Sequence, residues 1–167
     1  MSTIGLRTMV GTMIAGAIVV FSQTACSGTT RKVGDFYCSD LTETFFYGKS
    51  IKSRMSDFGN YPVEKQYAIF ICGNQVIHPP AIYLVTPFAN EGGQVIDFLT
   101  GKLAETNDDL TIRDIIFVIA EMSRLHTYDV AHNEKLMRSM EERVKGMKDA
   151  DWKKMTEEML KTIRKSP

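Results

Sequence analysis

Three histidines, ten methionines and three cysteines are the side chains of this 167-residue sequence best suited to ligand or proton chemistry. His126 and His132 flank Asp129 in one polar segment, and imidazoles with a carboxylate are zinc donors. A zinc site needs three or four ligands in fixed geometry, and this spacing on a loop offers no such frame. His78 precedes Pro79 and Pro80. As a general base it would need a partner within reach of a substrate proton, and its sequence neighbours supply none. Capping the next helix or meeting a backbone carbonyl is the role expected of it. Met137 and Met140 set two thioethers close together on a helix, a donor type that suits Cu(I). Met140 and Met147 also continue an apolar stripe, and methionine is an ordinary core filler. No metal or organic cofactor is expected.

Other patterns carry less. Asp57-Phe58-Gly59 spells the magnesium-binding tripeptide of protein kinases, but the Gly-rich loop, Lys-bearing strand and catalytic loop that give it meaning are missing. Acidic and basic side chains number 20 each, which gives no reason to expect nucleic acid as a partner. The segment from residue 133 onward is mildly basic and the body before it mildly acidic. With both signs interleaved at helical spacing, a solvated face is the expectation.

The elements that would position these groups read as helices. From Ser39, Leu41, Phe45, Phe46 and Ile51 recur near the helical period as far as Phe58-Gly59-Asn60. Pro62 opens a second helix, whose end Gly73-Asn74 weakens. The pair Pro79-Pro80 breaks the chain sharply, and Pro87 is expected to kink the helix that follows by removing a bond to Tyr83. Asn107-Asp108-Asp109 offers cap oxygens to a helix over 110–125 that is apolar around most of its girth, hence central. Helices over 134–148 and from Asp151 onward complete an all-α pattern, with a short strand only at 33–37. Residues 39–165 form the expected single domain, preceded by a tether at 26–38.

The first 25 residues look like an address. Arg7 precedes an uncharged run with the apolar centre 13–21, ending at Gln23-Thr24-Ala25, the signature of a secretory signal peptide. Cys26 directly after Ala25 resembles the lipobox of bacterial lipoproteins, in which that cysteine is acylated and becomes the N-terminus. Gln23 stands where that family carries an aliphatic residue, which leaves cleavage without lipid as the alternative. Ser27 after the cysteine implies the outer membrane. The expected location is periplasm or outer membrane, lipid-anchored, with a secreted or inner-membrane-anchored chain as the alternative. In an oxidising compartment the remaining Cys38 and Cys72 can pair, contributing roughly 3–4 kcal/mol by closing their loop. Two buried free thiols are the other possibility.

Residues 95–122 run from Val95-Ile96-Asp97-Phe98-Leu99 through Leu103 and an Asp-rich turn to Ile112-Arg113-Asp114-Ile115. This is similar to the junction between HEAT repeats. The resemblance implies a small right-handed array of antiparallel helix pairs, structural roles for Asp108, Asp109 and Arg113, and surfaces that meet protein partners. His78-Pro79-Pro80 would mark an earlier turn of the same kind. The function expected is a non-enzymatic interaction module that meets another envelope protein, an immunity protein against an envelope toxin being one form. The alternatives are a lipid or ligand carrier with a pocket near Pro87, and an envelope hydrolase using His78, His126 or His132.

Overall fold

A computed structural model describes residues 31–165. The expected leader and the lipidation site Cys26 lie outside the described residues. Among those described the chain is all-α, with eight α-helices and one two-stranded antiparallel sheet.

Strands β1 (Lys32–Val33) and β2 (Phe36–Tyr37) form a hairpin in which Val33 faces Phe36. Residues 32–37, inside the segment 26–38 expected to be a tether, thus belong to the folded body. Val33 and Cys38 are buried against α3, and the Cys38 amide donates to the Arg31 carbonyl at 2.9 Å.

The single helix expected from Ser39 to about residue 58 is instead broken. Helix α1 (Cys38–Leu41) runs into a π-helical turn at Thr42–Phe46, and α2 (Ile51–Phe58) starts afresh. The wider turn shifts the helical register and puts Phe45 and Phe46 in the core. Ser50 then caps α2, its hydroxyl accepting from the Ser53 amide at 3.2 Å. Ile51, expected on the buried stripe, is 55% exposed as a result.

Helix α3 (Val63–Gln75) follows Pro62 and is buried without interruption from Gln66 to Asn74. Gly73 does not weaken its end. A Cβ there would come within 2.7 Å of the Phe46 ring and 2.9 Å of Ala81 Cβ, so glycine is what lets the π turn and the returning chain close on α3. The Ala81 amide donates to the Gly73 carbonyl at 2.9 Å. Between them His78, Pro79 and Pro80 form an exposed loop with a cis His78–Pro79 bond.

Pro87 produces no kinked helix. A 3₁₀ turn (Ile82–Leu84) leads into the short α4 (Val85–Ala89). Pro87 therefore sits in the first turn of α4, where its missing N–H has no partner to lose. After a 3₁₀ turn at Gly92–Gln94 come α5 (Ile96–Glu105), α6 (Asp109–Leu125), α7 (Glu134–Lys145) and α8 (Ala150–Arg164).

Three of these helices start where a side-chain oxygen meets orphan amides. Asp108 accepts from Thr111 at 2.7 Å, Asn133 from Leu136 at 3.1 Å, and Asp149 from Asp151 and Trp152 at 3.0 and 2.9 Å. Helix α6 lies between α4 and α8, and α5 reaches α7. Ile115, Ile116, Val118, Ile119 and Met122 of α6 are all in the core, as are Met137 and Met140 of α7. The thioethers thus serve as packing. No helix among the described residues is long and apolar enough to cross a membrane.

Candidate functional site

A groove of about 560 Å³ opens between the hairpin, α3, α5 and the start of α6, a volume within the range of small-molecule sites. Its walls follow from helical periodicity. Glu64, Tyr67 and Ile71 share one face of α3; Phe98, Lys102 and Glu105 share one face of α5. Asp108 and Thr111 close one end, and Arg31 to Phe36 form the remaining wall. Cys38 and Cys72 lie at disulfide distance, their Cα atoms 5.4 Å apart, which sets the base of the hairpin against α3 one residue after Ile71. Pro87, beside which a carrier pocket was expected, is not among the groove's walls.

Tyr67 is 7% exposed, and its ring meets Phe98 edge-on with centroids 5.6 Å apart. Burial pushes its hydroxyl up to about 12, and the carboxylates of Asp114, Glu105 and Asp108 push the same way against Arg31. The phenol is therefore neutral at physiological pH. The three bases of the groove are already engaged: Arg31 with Asp108 at 3.8 Å, Lys32 with Asp35 at 3.9 Å, Lys102 with Glu105 at 2.7 Å. Lys102 also stands over the Phe98 ring, 5.6 Å from its centroid.

Beneath this end lies a polar network not anticipated from the sequence. Asp114 is 1% exposed. Gln75 Nε2 donates to its Oδ2 at 2.7 Å and to Thr111 Oγ1 at 3.3 Å, and Arg113 Nε donates to its Oδ1 at 3.0 Å. The Arg113 guanidinium sits 4.3 Å from the centre of the Trp152 ring. The turn residues named from the HEAT resemblance divide here. Asp108 caps α6; Asp109 accepts from the Lys148 and Asp149 amides at 2.8 and 2.7 Å, tying α6 to the α7–α8 turn; Arg113 pairs with its neighbour Asp114. The signal for Asp114 was present as a lone acid on a helical face shared with Thr111, Ile115 and Val118.

Burial raises the Asp114 pKa from the ordinary carboxylate value, outweighing Arg113 and the Gln75 hydrogen bond, which lower it. An acid that holds its proton more tightly when folded adds stability that is full below its unfolded pKa and is lost as pH rises through its folded pKa. Asp114→Asn removes that dependence. Urea unfolding of both proteins at pH 4 and pH 7 is expected to show wild type losing stability relative to the variant as pH rises. A difference that stays flat or moves the other way contradicts the assignment.

The histidines do not assemble as a set. His126 ends α6 in a left-handed conformation (φ 55°) and lines, with Asp129 and His132, a shallow cleft of about 140 Å³. That is below the size of ordinary small-molecule sites. His132 Nδ1 lies 2.8 Å from Asp129 Oδ1, and the His132 side-chain bond is the main cause holding the Asp129 carboxyl below its usual range. His78 does not line that cleft. It is exposed and makes no hydrogen bond among the described residues, so neither the helix cap nor the carbonyl contact expected of it is present. Among the described residues no group of three His, Cys, Asp or Glu side chains is arranged to hold a metal ion. Asp57 pairs with Lys49 at 2.8 Å and Phe58 is buried, a structural setting for that tripeptide.

No known protein-family model matches the chain, and neither the curated proteins nor the solved structures include a match to it.

Proposed function

We propose that the chain is an exported, lipid-anchored binding module of the bacterial cell envelope that acts without catalysis and presents its helical body to another envelope protein. The observation that carries this reading is the Cys38–Cys72 pair, two fully buried cysteines at disulfide distance. Formed disulfides persist in oxidising compartments, in keeping with the leader-like residues 1–25. Two features support a HEAT-like arrangement: α4, α6 and α8 neighbour one another in one row, and α5 and α7 in another. Carriage of a small ligand is the second reading, favoured by the groove beside Tyr67.

Metabolic labelling with an alkyne-bearing fatty acid tests the first reading. Wild type is expected to carry label and sediment with membranes, and Cys26→Ala to lose both properties. An unlabelled wild type in the cytosol overturns it.

A further inference from the structure

We propose that the groove between the hairpin and helices α3 and α5 binds an organic cation, an ammonium or guanidinium carried on an apolar body. The proposal rests on the reading of the chain as a binding module and names the chemistry of one of its surfaces. Tyr67 and Phe98 supply an aromatic wall deep enough to accept an apolar body. Tyr67 is mostly buried by its ring, while its hydroxyl makes no hydrogen bond among the described residues and is open to the groove. A phenol oxygen open to the groove can accept a hydrogen bond from an ammonium.

The sign of the ligand's charge follows from the pairing of the walls. Each basic side chain of the groove already faces a carboxylate, so an incoming anion finds its partners taken. Glu64 has no ion pair among the described residues and stands on the same α3 face as Tyr67. Carboxylates outnumber basic groups along the groove, Asp35, Glu64, Glu105 and Asp108 against Arg31, Lys32 and Lys102. Lys102 supplies an internal stand-in: its ammonium lies over Phe98 and against Glu105, contacts that a ligand cation would also make.

This placement gives a test whose sign separates the two charges. Lys102 is partly exposed at the edge of the groove, and Lys102→Met removes a cation that repels a ligand ammonium while releasing Glu105. Binding to the full chain, purified in detergent, is followed by NMR for 2-phenylethylammonium, neutral 2-phenylethanol and anionic 3-phenylpropionate. The ammonium is expected to bind about five- to tenfold more tightly than the alcohol, the range of one cation–π contact with a carboxylate nearby. Lys102→Met is expected to tighten ammonium binding, and Glu64→Gln and Tyr67→Phe to weaken it. A parallel arm compares acetyl-Phe-Lys-amide with its norleucine counterpart. Preference for the lysine peptide over the free amine identifies a protein side chain as the source of the cation, and the reverse identifies a small metabolite; both support the proposal. Tighter binding of the propionate, its loss in Lys102→Met, or no binding of the ammonium at millimolar concentration overturns it. None of those three results bears on whether Cys26 is lipidated, so failure here and failure of the export reading are told apart.

Discussion

Replacing Cys38 and Cys72 together with alanine is expected to remove roughly 3–4 kcal/mol of stability, the entropy of closing a loop of this length in the unfolded chain. The separation of 34 residues sets that scale. For a domain of this size the thermal midpoint should fall by about 10 °C. The loss is also local in kind, because the pair holds the hairpin wall of the groove to α3. Hydrogen exchange should therefore speed up first at Val33, Phe36 and the start of α1. Thermal unfolding with and without reductant checks the magnitude: wild type and the double variant should coincide once wild type is reduced. An unchanged midpoint in the double variant would mean that the pair does not constrain the unfolded chain.

Gly92→Ala is the second large effect. Gly92 has φ +55° and is buried, and a Cβ there would lie 2.5 Å from the Thr127 carbonyl oxygen. The left-handed conformation costs a non-glycine residue about 1–2 kcal/mol, and the contact adds an overpacking cost of about 1–3 kcal/mol. The obstacle is backbone, held in place because the Thr127 hydroxyl donates to the Ala89 carbonyl at 2.6 Å and its amide to the Met122 carbonyl at 3.1 Å. The chain following α6 is thus pressed onto the connection between α4 and α5. Urea unfolding should show a loss of about 2–5 kcal/mol on these grounds. Gly101→Ala serves as a contrast, since a Cβ at that exposed site in α5 meets nothing within 4 Å. It should stabilise by about 0.5–1 kcal/mol by favouring the helix. Equal effects at the two sites would contradict the close approach at Gly92.

What the sequence made legible was local. Helix α6 follows from its continuous apolar period and from Asp108 as cap, and α8 from Asp149 in the same way. The break before α2 was not legible because Leu41, Phe45, Phe46 and Ile51 fit one helical period on paper. The π turn at Thr42–Phe46 alters that register through packing against α3. Pro87 misled for a related reason: a proline reads as a kink only if the helix has already begun, and α4 begins two residues before it. The stretch before Ser39 looked like spacer because it is short and polar, while what folds it is the contact of Val33 and Cys38 with distant residues. The groove was the least legible feature. Its walls come from a hairpin and three helices, so no spacing within any one segment marks it. Tyr67 and Phe98 lie 31 residues apart, on different helices. Asp114 alone left a trace, as a charge on an apolar face.

Asp114 and Tyr67 are linked by more than position. Asp114 shares the Gln75 side-chain amide with Thr111, a wall of the groove, and after burial its charge is the next cause pushing the Tyr67 hydroxyl up. The network of Gln75, Asp114 and Arg113 therefore fixes the groove's floor and part of its electrostatics at once.

The central claim is that this chain works outside the cytoplasm, cut before Cys26 and oxidised within. Mass spectrometry of the protein isolated from its own cells, alkylated in denaturant without reductant, tests it in one measurement. The account predicts an N-terminal peptide that starts at Cys26, with no alkyl group on Cys38 or Cys72. An intact Met1 together with alkylation at both later cysteines would contradict it.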